Sequence, residues 1–343
     1  MNLNFKKVFI VAELSANHGN EIKIALETVR AAKRAGADAI KLQTYTPDTM
    51  TIDSKSDDFI VKGGSIWDGQ TFYELYKKAF TPWEWHREIF DLAREEGLVC
   101  FSTPFDKSAV NFLEQLNNPI YKIASFEIND IPLLEYVAKT NKPIILSTGI
   151  ASKDDIELAL ETIRSHGDNQ IALLKCTSSY PAPIDKANLI MIKDFQKKYG
   201  VITGLSDHTM GNISPIVATS LGGKIIEKHF ILNKSIGGPD SSFSLDENEF
   251  KSMVSDIRDT EKSLGKINYN LTSKQKIARN YSRSLYIVEN VEEGQYLTED
   301  NIKSIRPGFG IEPKHLNSVL GGKFAKSYLK GTRLTFDKIK YES

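Results

Sequence analysis

Groups that can hold an anion, bind a metal ion or move a proton recur at the ends of short apolar runs in this sequence. The eight runs end in these residues: Glu13; Lys41 and Gln43; Ser102 and Thr103; Lys122, Ser125 and Glu127; Ser147 and Thr148; Thr177, Ser178 and Tyr180; Ser206, Asp207 and His208; and Glu227, Lys228 and His229. A chain that needed only to fold would not require this pattern. It predicts a polar site that is assembled from the ends of many strands.

Lys41 and Lys122 lie inside apolar runs, where an ammonium group is costly to bury unless an anion meets it. Either lysine alone would more simply extend to solvent or pair with a carboxylate at the end of another run: Glu13, Glu127 or Glu227. Four serines at the ends of other runs would add neutral donors: Ser125, Ser147, Ser178 and Ser206. Two lysines together with four serines favour a phosphate site.

His208 and His229 end the seventh and eighth runs. Because neighbouring strands lie about 4.8 Å apart, both imidazoles could reach one divalent ion. They lack the spacing of two ligands on one helix, and for each residue alone a structural role is the simpler interpretation. His86 and His166 fall on predicted helices and are expected at the surface, whereas His18 lies in the first loop without an assigned role.

The runs themselves are of strand length and alternate with amphipathic stretches of helical length. The predicted strands are 8–13, 39–44, 98–103, 121–127, 143–148, 171–177, 201–206 and 225–230. The predicted helices are 22–35, 83–96, 108–116, 131–140, 153–165, 187–199, 213–221 and 247–264. Eight such units over about 265 residues match a (β/α)8 TIM barrel, whose active site forms at the carboxyl ends of the strands.

A doubly wound open sheet is the alternative architecture. Such a sheet usually binds a dinucleotide through a glycine-rich first turn, but here that turn reads ELSANHGN and lacks the GxGxxG spacing. We therefore expect an α/β TIM barrel over residues 1–265, with the long segment 47–81 folded over its mouth. A polar linker over 266–281 and a small second domain over 282–343 are expected to follow.

The composition narrows the possible partners. Lys plus Arg and Asp plus Glu each number 44, so no overall field favours nucleic acid or a membrane surface. The apolar run at 8–12 is too short for a signal sequence or a membrane span, and a cytoplasmic protein is expected. Cys100 and Cys176 lie in strand-like runs and are expected to be inert, buried thiols.

The order of several motifs resembles that of the sialic acid synthase family: AELSANHGN, KLQTY, FSTPF, YKIASFE, LSTG, CTSSYP, GLSDHT and EKHF. Towards the end of the chain, two more are similar to the antifreeze-like (SAF, β-clip) domain of these synthases: RSLYIV and RPGFGIEP. Further motifs resemble the pseudaminic acid branch of the family: LSANHG, FIVKGG, WDG, FYELY, SFSLD and RPGFG. Ser178 also stands where sialic acid synthases usually carry Asn, which points away from N-acetylmannosamine as the substrate.

The resemblance implies a condensation of phosphoenolpyruvate with the open-chain aldehyde of an N-acetylated amino sugar, with phosphate released by C–O cleavage. In the pseudaminic acid branch the sugar is 2,4-diacetamido-2,4,6-trideoxy-altropyranose, and the product serves flagellin glycosylation or a cell-surface polysaccharide. The resemblance also implies a divalent cofactor, Mn²⁺ or Mg²⁺ with Co²⁺ as a third option. It further implies a homodimer in which each C-terminal domain covers the barrel of the other copy.

Position by position, the resemblance assigns three sets of residues. The phosphoenolpyruvate set is Lys41, Thr103, Lys122, Ser125, Ser147, Ser178 and Ser206. The catalytic set is Glu13, for proton transfer and water activation, with His208 and His229 as metal ligands. The sugar set is Gln43, Glu127, Tyr180, Asp240 and Arg306, the last carried by the C-terminal domain.

Three alternatives differ in chemistry. An N-acetylneuraminate or legionaminate synthase would run the same reaction on another sugar. A metal aldolase would join or cleave aldehydes without phosphoenolpyruvate, and phosphate release separates it from a synthase. A carbohydrate- or ice-binding protein would need a flat, Thr-rich face, but the second domain contains only Thr298, Thr332 and Thr335, without a repeat.

Overall fold

Eight parallel strands close into a barrel in the first part of the chain. The computed structural model describes residues 2–64 and 66–341. The barrel strands are β1 (Phe9–Glu13), β2 (Ala39–Thr44), β3 (Val99–Pro104), β4 (Tyr121–Ile123), β5 (Ile144–Ser147), β6 (Ile171–Cys176), β7 (Ile202–Asp207) and β8 (Ile225–His229). Each strand pairs in parallel with the next, and β8 pairs with β1, so the predicted (β/α)8 barrel is confirmed.

Eight helices of this unit lie close to their predicted positions, and two short ones were not predicted. In chain order, the helices are α1 (Ile22–Ala35), α2 (Pro47–Met50), α3 (Phe72–Ala79), α4 (Trp83–Glu95), α5 (Lys107–Gln115), α6 (Ile131–Ala138), α7 (Lys153–His166), α8 (Met191–Tyr199), α9 (Ile213–Ser220) and α10 (Glu247–Leu264). The short helices α2 and α3 form within the long segment between β2 and α4. The predicted strand 121–127 ends early, at Ile123, because Ser125–Glu127 turns into a 3-10 helix.

Alternation along the strands separates two apolar cores. Ile10 and Ala12 of β1 pack with α1 in a cluster that lies between the strands and the surrounding helices. Phe9 and Val11, one residue out of phase, belong to a second cluster with Phe101 and other strand residues, inside the barrel. The interior is therefore a packed apolar layer at the amino-terminal half of the strands, as this architecture requires.

The segment before β1 completes that inner layer. Leu3 is fully buried in the inner cluster, and its backbone N–H donates to the side-chain oxygen of Gln170 at 2.8 Å. Phe5 stacks on Phe9, with ring centroids 4.2 Å apart. Apolar side chains thus fill the amino-terminal end of the barrel, and only the opposite end is left for polar chemistry.

The chain divides after Gly265 into two compact units. Residues 266–283 are exposed, and they include helix α11 (Ser273–Ala278). The second unit contains β9 (Ser284–Ile287), β10 (Ile302–Ile305), helix α12 (Leu316–Val319), β11 (Lys323–Phe324) and β12 (Ile339–Lys340). The strands pair as two antiparallel ladders, β9 with β10 and β11 with β12, around a small core that contains Leu285, Val319 and Phe324.

Hydropathy along the helices bears on membrane insertion. Within residues 2–64 and 66–341, no helix combines the length and the apolar character needed to cross a bilayer.

His86 does not lie at the surface, so that expectation is wrong, whereas His166 is exposed as expected. His86 points from α4 toward β2 and β3, where its Nε2 lies 2.9 Å from Thr44 Oγ1, and Thr44 Oγ1 lies 2.6 Å from Ser102 Oγ. Its Nδ1–H donates to the Pro82 carbonyl oxygen at 3.1 Å. A neutral imidazole therefore links the helix to two strands, and burial lowers its pKa from 6.5 to about 4.

This burial predicts a pH dependence of stability. The unfolded chain binds a proton at His86 near pH 6.5 and the folded chain only near pH 4, so folding stability falls as the pH drops through that window. The contribution is about 3 kcal/mol at most. We expect His86→Gln to flatten the decline in unfolding free energy between pH 6.5 and 4.5. Urea titrations followed by tryptophan fluorescence measure the barrel unit alone, since Trp67, Trp83 and Trp85 all lie there. An unchanged slope in the variant would contradict this account.

Candidate active site at the mouth of the barrel

The inward-facing positions become polar above the apolar layer. On β1, Glu13 follows Phe9 and Val11 by the same alternation, and its side chain is only 1% exposed. Lys41 is its register partner on β2, and the ammonium nitrogen of Lys41 lies 2.6 Å from Glu13 Oε2. Strand periodicity and register thus bring an acid and a base together that are 28 positions apart in the chain.

Glu227 of β8 joins the two lysines into one cluster. Its Oε1 lies 3.4 Å from Lys122 Nζ and 3.8 Å from Lys41 Nζ, and it accepts a hydrogen bond from Ser206 Oγ at 3.1 Å. Lys41 also donates to Thr103 Oγ1 at 3.3 Å. Both lysines are therefore paired with carboxylates, which is one of the two alternatives that the sequence left open. This pairing is compatible with a phosphate site, because a phosphate could bind the same ammonium groups.

Burial and pairing together set the charges of this cluster. Burial raises the pKa of Glu13, although Lys41 acts against the shift. Burial would also raise the pKa of Glu227, but Lys122 and Lys41 hold it below its usual value. Burial lowers the pKa of Lys122, and its carboxylate neighbour only partly offsets this. The cluster is therefore a set of desolvated groups whose protonation depends on what binds beside them.

Serine hydroxyls and a glycine form a small cradle on the β4, β5 and β6 side of the mouth. The backbone N–H of Gly149 donates to Ser125 Oγ at 3.0 Å. A Cβ at position 149 would lie 2.0 Å from Ser178 Oγ and 2.8 Å from Ser125 Oγ, so only glycine leaves these hydroxyls in place. Ser147 is buried, and its hydroxyl has no hydrogen-bond partner among the residues described here. A hydroxyl buried without a partner indicates a place for a polar ligand.

The two histidines lie side by side, with ring centroids 5.4 Å apart. His208 Nδ1 lies 3.1 Å from the Thr177 carbonyl oxygen, which can only accept, so Nδ1 carries a proton. Burial would lower the pKa of this imidazole, but the contact with the Cys176 thiol raises it above its usual value. Burial holds the pKa of His229 well below its usual value, so this imidazole is neutral. Its Nδ1 is buried without a hydrogen bond and lies 3.6 Å from Asp240 Oδ2.

The unprotonated nitrogen of His229 fits a divalent cation, since metal ions bind imidazoles through such a nitrogen. His208 would offer Nε2 after the loss of its second proton, because metal binding releases protons from its ligands. The protein side of such a site is small. In the part of the chain that the structure describes, no cluster of three or more His, Cys, Asp or Glu residues is arranged to hold a metal ion. His208 and His229 would therefore supply two ligands, and substrate or water would supply the others.

Cys176 is buried, as expected, but it lies within the site. Its Sγ lies 3.8 Å from His208 Nδ1 and 3.9 Å from Ser178 Oγ. Burial would raise the pKa of this thiol, but the contact with His208 lowers it to about 7. The thiol was expected to be inert because it is buried. That expectation took no account of His208, which the neighbouring strand places beside the sulfur.

A chain of hydrogen bonds runs from the acid of β1 to Asp240, which lies beside the β8 histidine. Gln43 Nε2 lies 2.9 Å from Glu13 Oε1 and 3.0 Å from Ser15 Oγ. Ser15 in turn donates to the Asp240 carboxylate beside His229. Ser15 was not among the predicted site residues, because a serine in a loop has no periodicity that would mark it. It has a φ of 45°, a left-handed backbone conformation that turns its hydroxyl into the site.

Aromatic rings border the histidines. Tyr180 lies 4.4 Å from His208, 5.4 Å from Trp67 and 5.3 Å from Phe243, measured between ring centroids. Glu127 is half-buried near this wall, and burial raises its pKa to about 7. Trp67 belongs to the long segment after β2, so that segment brings an apolar surface to the mouth.

Arg306 lies in the second unit. It is exposed and follows β10 directly, and a cis peptide bond joins it to Pro307. Its assignment to the sugar site stays a prediction from the resemblance.

The fold and the site define a (β/α)8 barrel whose carboxyl end holds buried lysines, hydroxyl groups and two neighbouring histidines, an arrangement suited to an anionic substrate. A NeuB family model matches residues 28–269, and the chain belongs to that family.

Curated relatives from two species are named pseudaminic acid synthase. The protein from Helicobacter pylori is 49% identical over 96% of this chain and 97% of its own length. The protein from Campylobacter jejuni is 47% identical over 96% of both chains. Among solved structures, the N-acetylneuraminic acid synthetase of Leptospira borgpetersenii, crystallised with citrate, has a TM-score of 0.71 at 30% identity. That match covers 80% of this chain and 91% of the other.

The burial of Lys122 beside Glu227 predicts that its ammonium group contributes to the affinity for an anion. Lys122→Ala removes one buried ammonium group, and a charge-assisted hydrogen bond is worth about 1.5–3 kcal/mol, so binding should weaken roughly tenfold to a hundredfold. Isothermal titration with inorganic phosphate measures the change. Lys33→Ala, on the exposed face of α1, is the control and should bind like the unchanged protein. Equal affinity in the two variants would remove Lys122 from the site.

Proposed function

We propose that this chain condenses phosphoenolpyruvate with 2,4-diacetamido-2,4,6-trideoxy-altropyranose to give pseudaminic acid and phosphate. The observation that carries the proposal is the buried cluster in which Lys41 and Lys122 share the carboxylate of Glu227 beside a cradle of hydroxyl groups. Relatives that carry the name of this synthase, at 47% and 49% identity over nearly the whole chain, support the choice of product.

Phosphoenolpyruvate carries a phosphate and a carboxylate, and the mouth of the barrel offers donors for both. The residues proposed to bind it are Lys41, Thr103, Lys122, Ser125, Ser147, Ser178 and Ser206. Before substrate binds, Glu13 and Glu227 neutralise the two ammonium groups. The substrate anion replaces part of this pairing, and the donors are already desolvated when it arrives.

The reaction forms one C–C bond between the substrates and one C–O bond to water, it breaks one C–O bond to phosphate, and the former aldehyde oxygen gains a proton to become a hydroxyl. C3 of the enol attacks the aldehyde carbon of the open-chain sugar, and the oxygen of a water molecule adds at C2. The bond between C2 and the phosphate oxygen then breaks, which leaves a keto acid and inorganic phosphate. Glu13 is the group proposed to take the proton from that water, and the raised pKa that burial confers makes its carboxylate a stronger base.

Synthases of the NeuB family are generally metal-dependent. We assign the cation, Mn²⁺ or Mg²⁺ with Co²⁺ as a third option, to the imidazoles of His208 and His229. When bound there, it supplies Lewis-acid polarisation of the sugar aldehyde oxygen. The Thr177 carbonyl oxygen accepts from His208 Nδ1–H and so orients that ring.

The sugar lies between the polar chain and the aromatic wall in this proposal. Gln43, Glu127 and Asp240 meet its hydroxyl and amide groups, and the ring of Tyr180 meets its methyl groups beside Trp67. We further propose a homodimer in which the antifreeze-like C-terminal domain of each copy covers the barrel of the other and brings Arg306 to the sugar. This covering domain would exclude bulk water from the reactive C2 position.

A competition assay tests both the reaction and the sugar. With phosphoenolpyruvate and equal amounts of the diacetamido sugar and N-acetylmannosamine, we expect phosphate release and a preference of roughly ten to two hundredfold, the range that one apolar methyl contact gives. A chelator should abolish the release, and added Mn²⁺ should restore it. Equal or faster turnover of N-acetylmannosamine would refute the sugar assignment, and no phosphate release with either sugar would refute the synthase.

The cradle around Gly149 gives a second test. In Gly149→Ala the added Cβ must displace the hydroxyls of Ser178 and Ser125. Two neutral hydrogen bonds at about 1 kcal/mol each would be lost, so the KM for phosphoenolpyruvate should rise roughly tenfold to thirtyfold. Ile150→Ala changes the next residue, which is 47% exposed, and should leave the KM unchanged. A normal KM in Gly149→Ala would show that the cradle does not hold this substrate.

A further inference from the structure

An ion pair with no place in the proposed chemistry lies directly behind the two histidines. Asp207 is the last residue of β7 and precedes His208, and Lys228 precedes His229 on β8. The two residues are register partners, and each side chain is only 1% exposed. Because side chains alternate along a strand, these two face the surrounding helices while the histidines face the mouth.

The pair also fixes the backbone on both sides of His208. Lys228 Nζ donates to the Thr209 carbonyl oxygen at 2.5 Å as well as to Asp207 Oδ2. Asp207 Oδ1 accepts from the Thr209 backbone N–H at 2.9 Å and from its hydroxyl at 2.8 Å. The hydroxyl of Thr209 also lies 3.0 Å from Ser214 Oγ at the start of α9. His208 is thus the middle residue of a segment that is held at both ends.

We propose that Asp207 and Lys228 are positioning residues that set the separation of His208 and His229 for one divalent cation. This inference rests on the proposed metal site. A buried ion pair is costly to desolvate, and apolar side chains of similar volume can often replace it without loss of stability. Apolar side chains cannot form the directed hydrogen bonds that hold two strand ends in a single register. Here the hydrogen-bonded pair lies one residue before each imidazole.

The test uses the full chain and Mn²⁺ alone as the probe. Asp207→Asn combined with Lys228→Met removes both charges, so that no unpaired charge stays buried. Thr209→Val removes the hydroxyl that anchors Asp207, and Thr209→Ser, which keeps it, is the conservative partner. Leu113→Ala, in the core behind α5, serves as a control that lowers stability far from β7 and β8. Electron paramagnetic resonance titration gives the Mn²⁺ dissociation constant, and thermal melting followed by circular dichroism gives the stability of each variant.

We expect the double variant to bind Mn²⁺ about tenfold to a hundredfold more weakly, the usual effect of removing a group that orients a metal ligand. Thr209→Val should weaken binding in the same direction, and Thr209→Ser should restore it. Leu113→Ala should melt earlier yet bind Mn²⁺ like the unchanged protein.

Two results would overturn the inference in distinguishable ways. Native Mn²⁺ affinity in the folded double variant, or in Thr209→Val if the double variant does not fold, would show that the pair serves stability alone. No Mn²⁺ binding by the unchanged protein would refute the metal site and this inference with it.

Discussion

Two ammonium groups and two carboxylates share the interior of the barrel mouth almost without solvent, and the proposed chemistry depends on that cluster. Lys41 and Lys122 are tolerated there because Glu13 and Glu227 neutralise them, at 2.6 Å and 3.4 Å. The same burial tunes the surrounding acids: the pKa of Glu127 rises to about 7, and that of Glu13 rises as well. A site that needs both an anion clamp and a base near neutral pH obtains both from one desolvated environment.

The two layers of the barrel make this environment possible. The amino-terminal half of the interior is filled by apolar side chains such as Val11 and Phe101, so the strands are held without help from the polar half. The charged residues can therefore be arranged for function rather than for packing. The hydrogen bonds from Gln43 through Ser15 to Asp240 then extend from the acid of β1 to a carboxylate that lies 3.6 Å from the histidine of β8. Closure of the sheet is what brings the first and last strands into one site.

Several site residues could be recognised because they follow a periodicity. The lysines stand out as charges within apolar runs, and His208 and His229 stand out as the ends of neighbouring strands. Gly149 and Ser15 carry no such mark. The role of Gly149 appears only when a Cβ is placed against Ser178, and that of Ser15 depends on a loop conformation that no pattern predicts. The sequence shows Asp207 and Lys228 only as two charged residues at the ends of strands, and their pairing depends on the register of β7 with β8.

The order of the eight barrel strands and their eight main helices, the polar character of the strand ends and the family resemblance follow from local periodicity and from motifs. The short helices α2 and α3 and the environment of each residue depend instead on how distant parts of the chain pack. His86 was assigned to a helix correctly, but only the packing of α4 against β2 and β3 shows that it is buried. Cys176 lies in a strand as expected, yet its pKa of about 7 depends on His208 from the neighbouring strand. Burial and partner are properties of residues far apart in the chain, so local pattern cannot supply them.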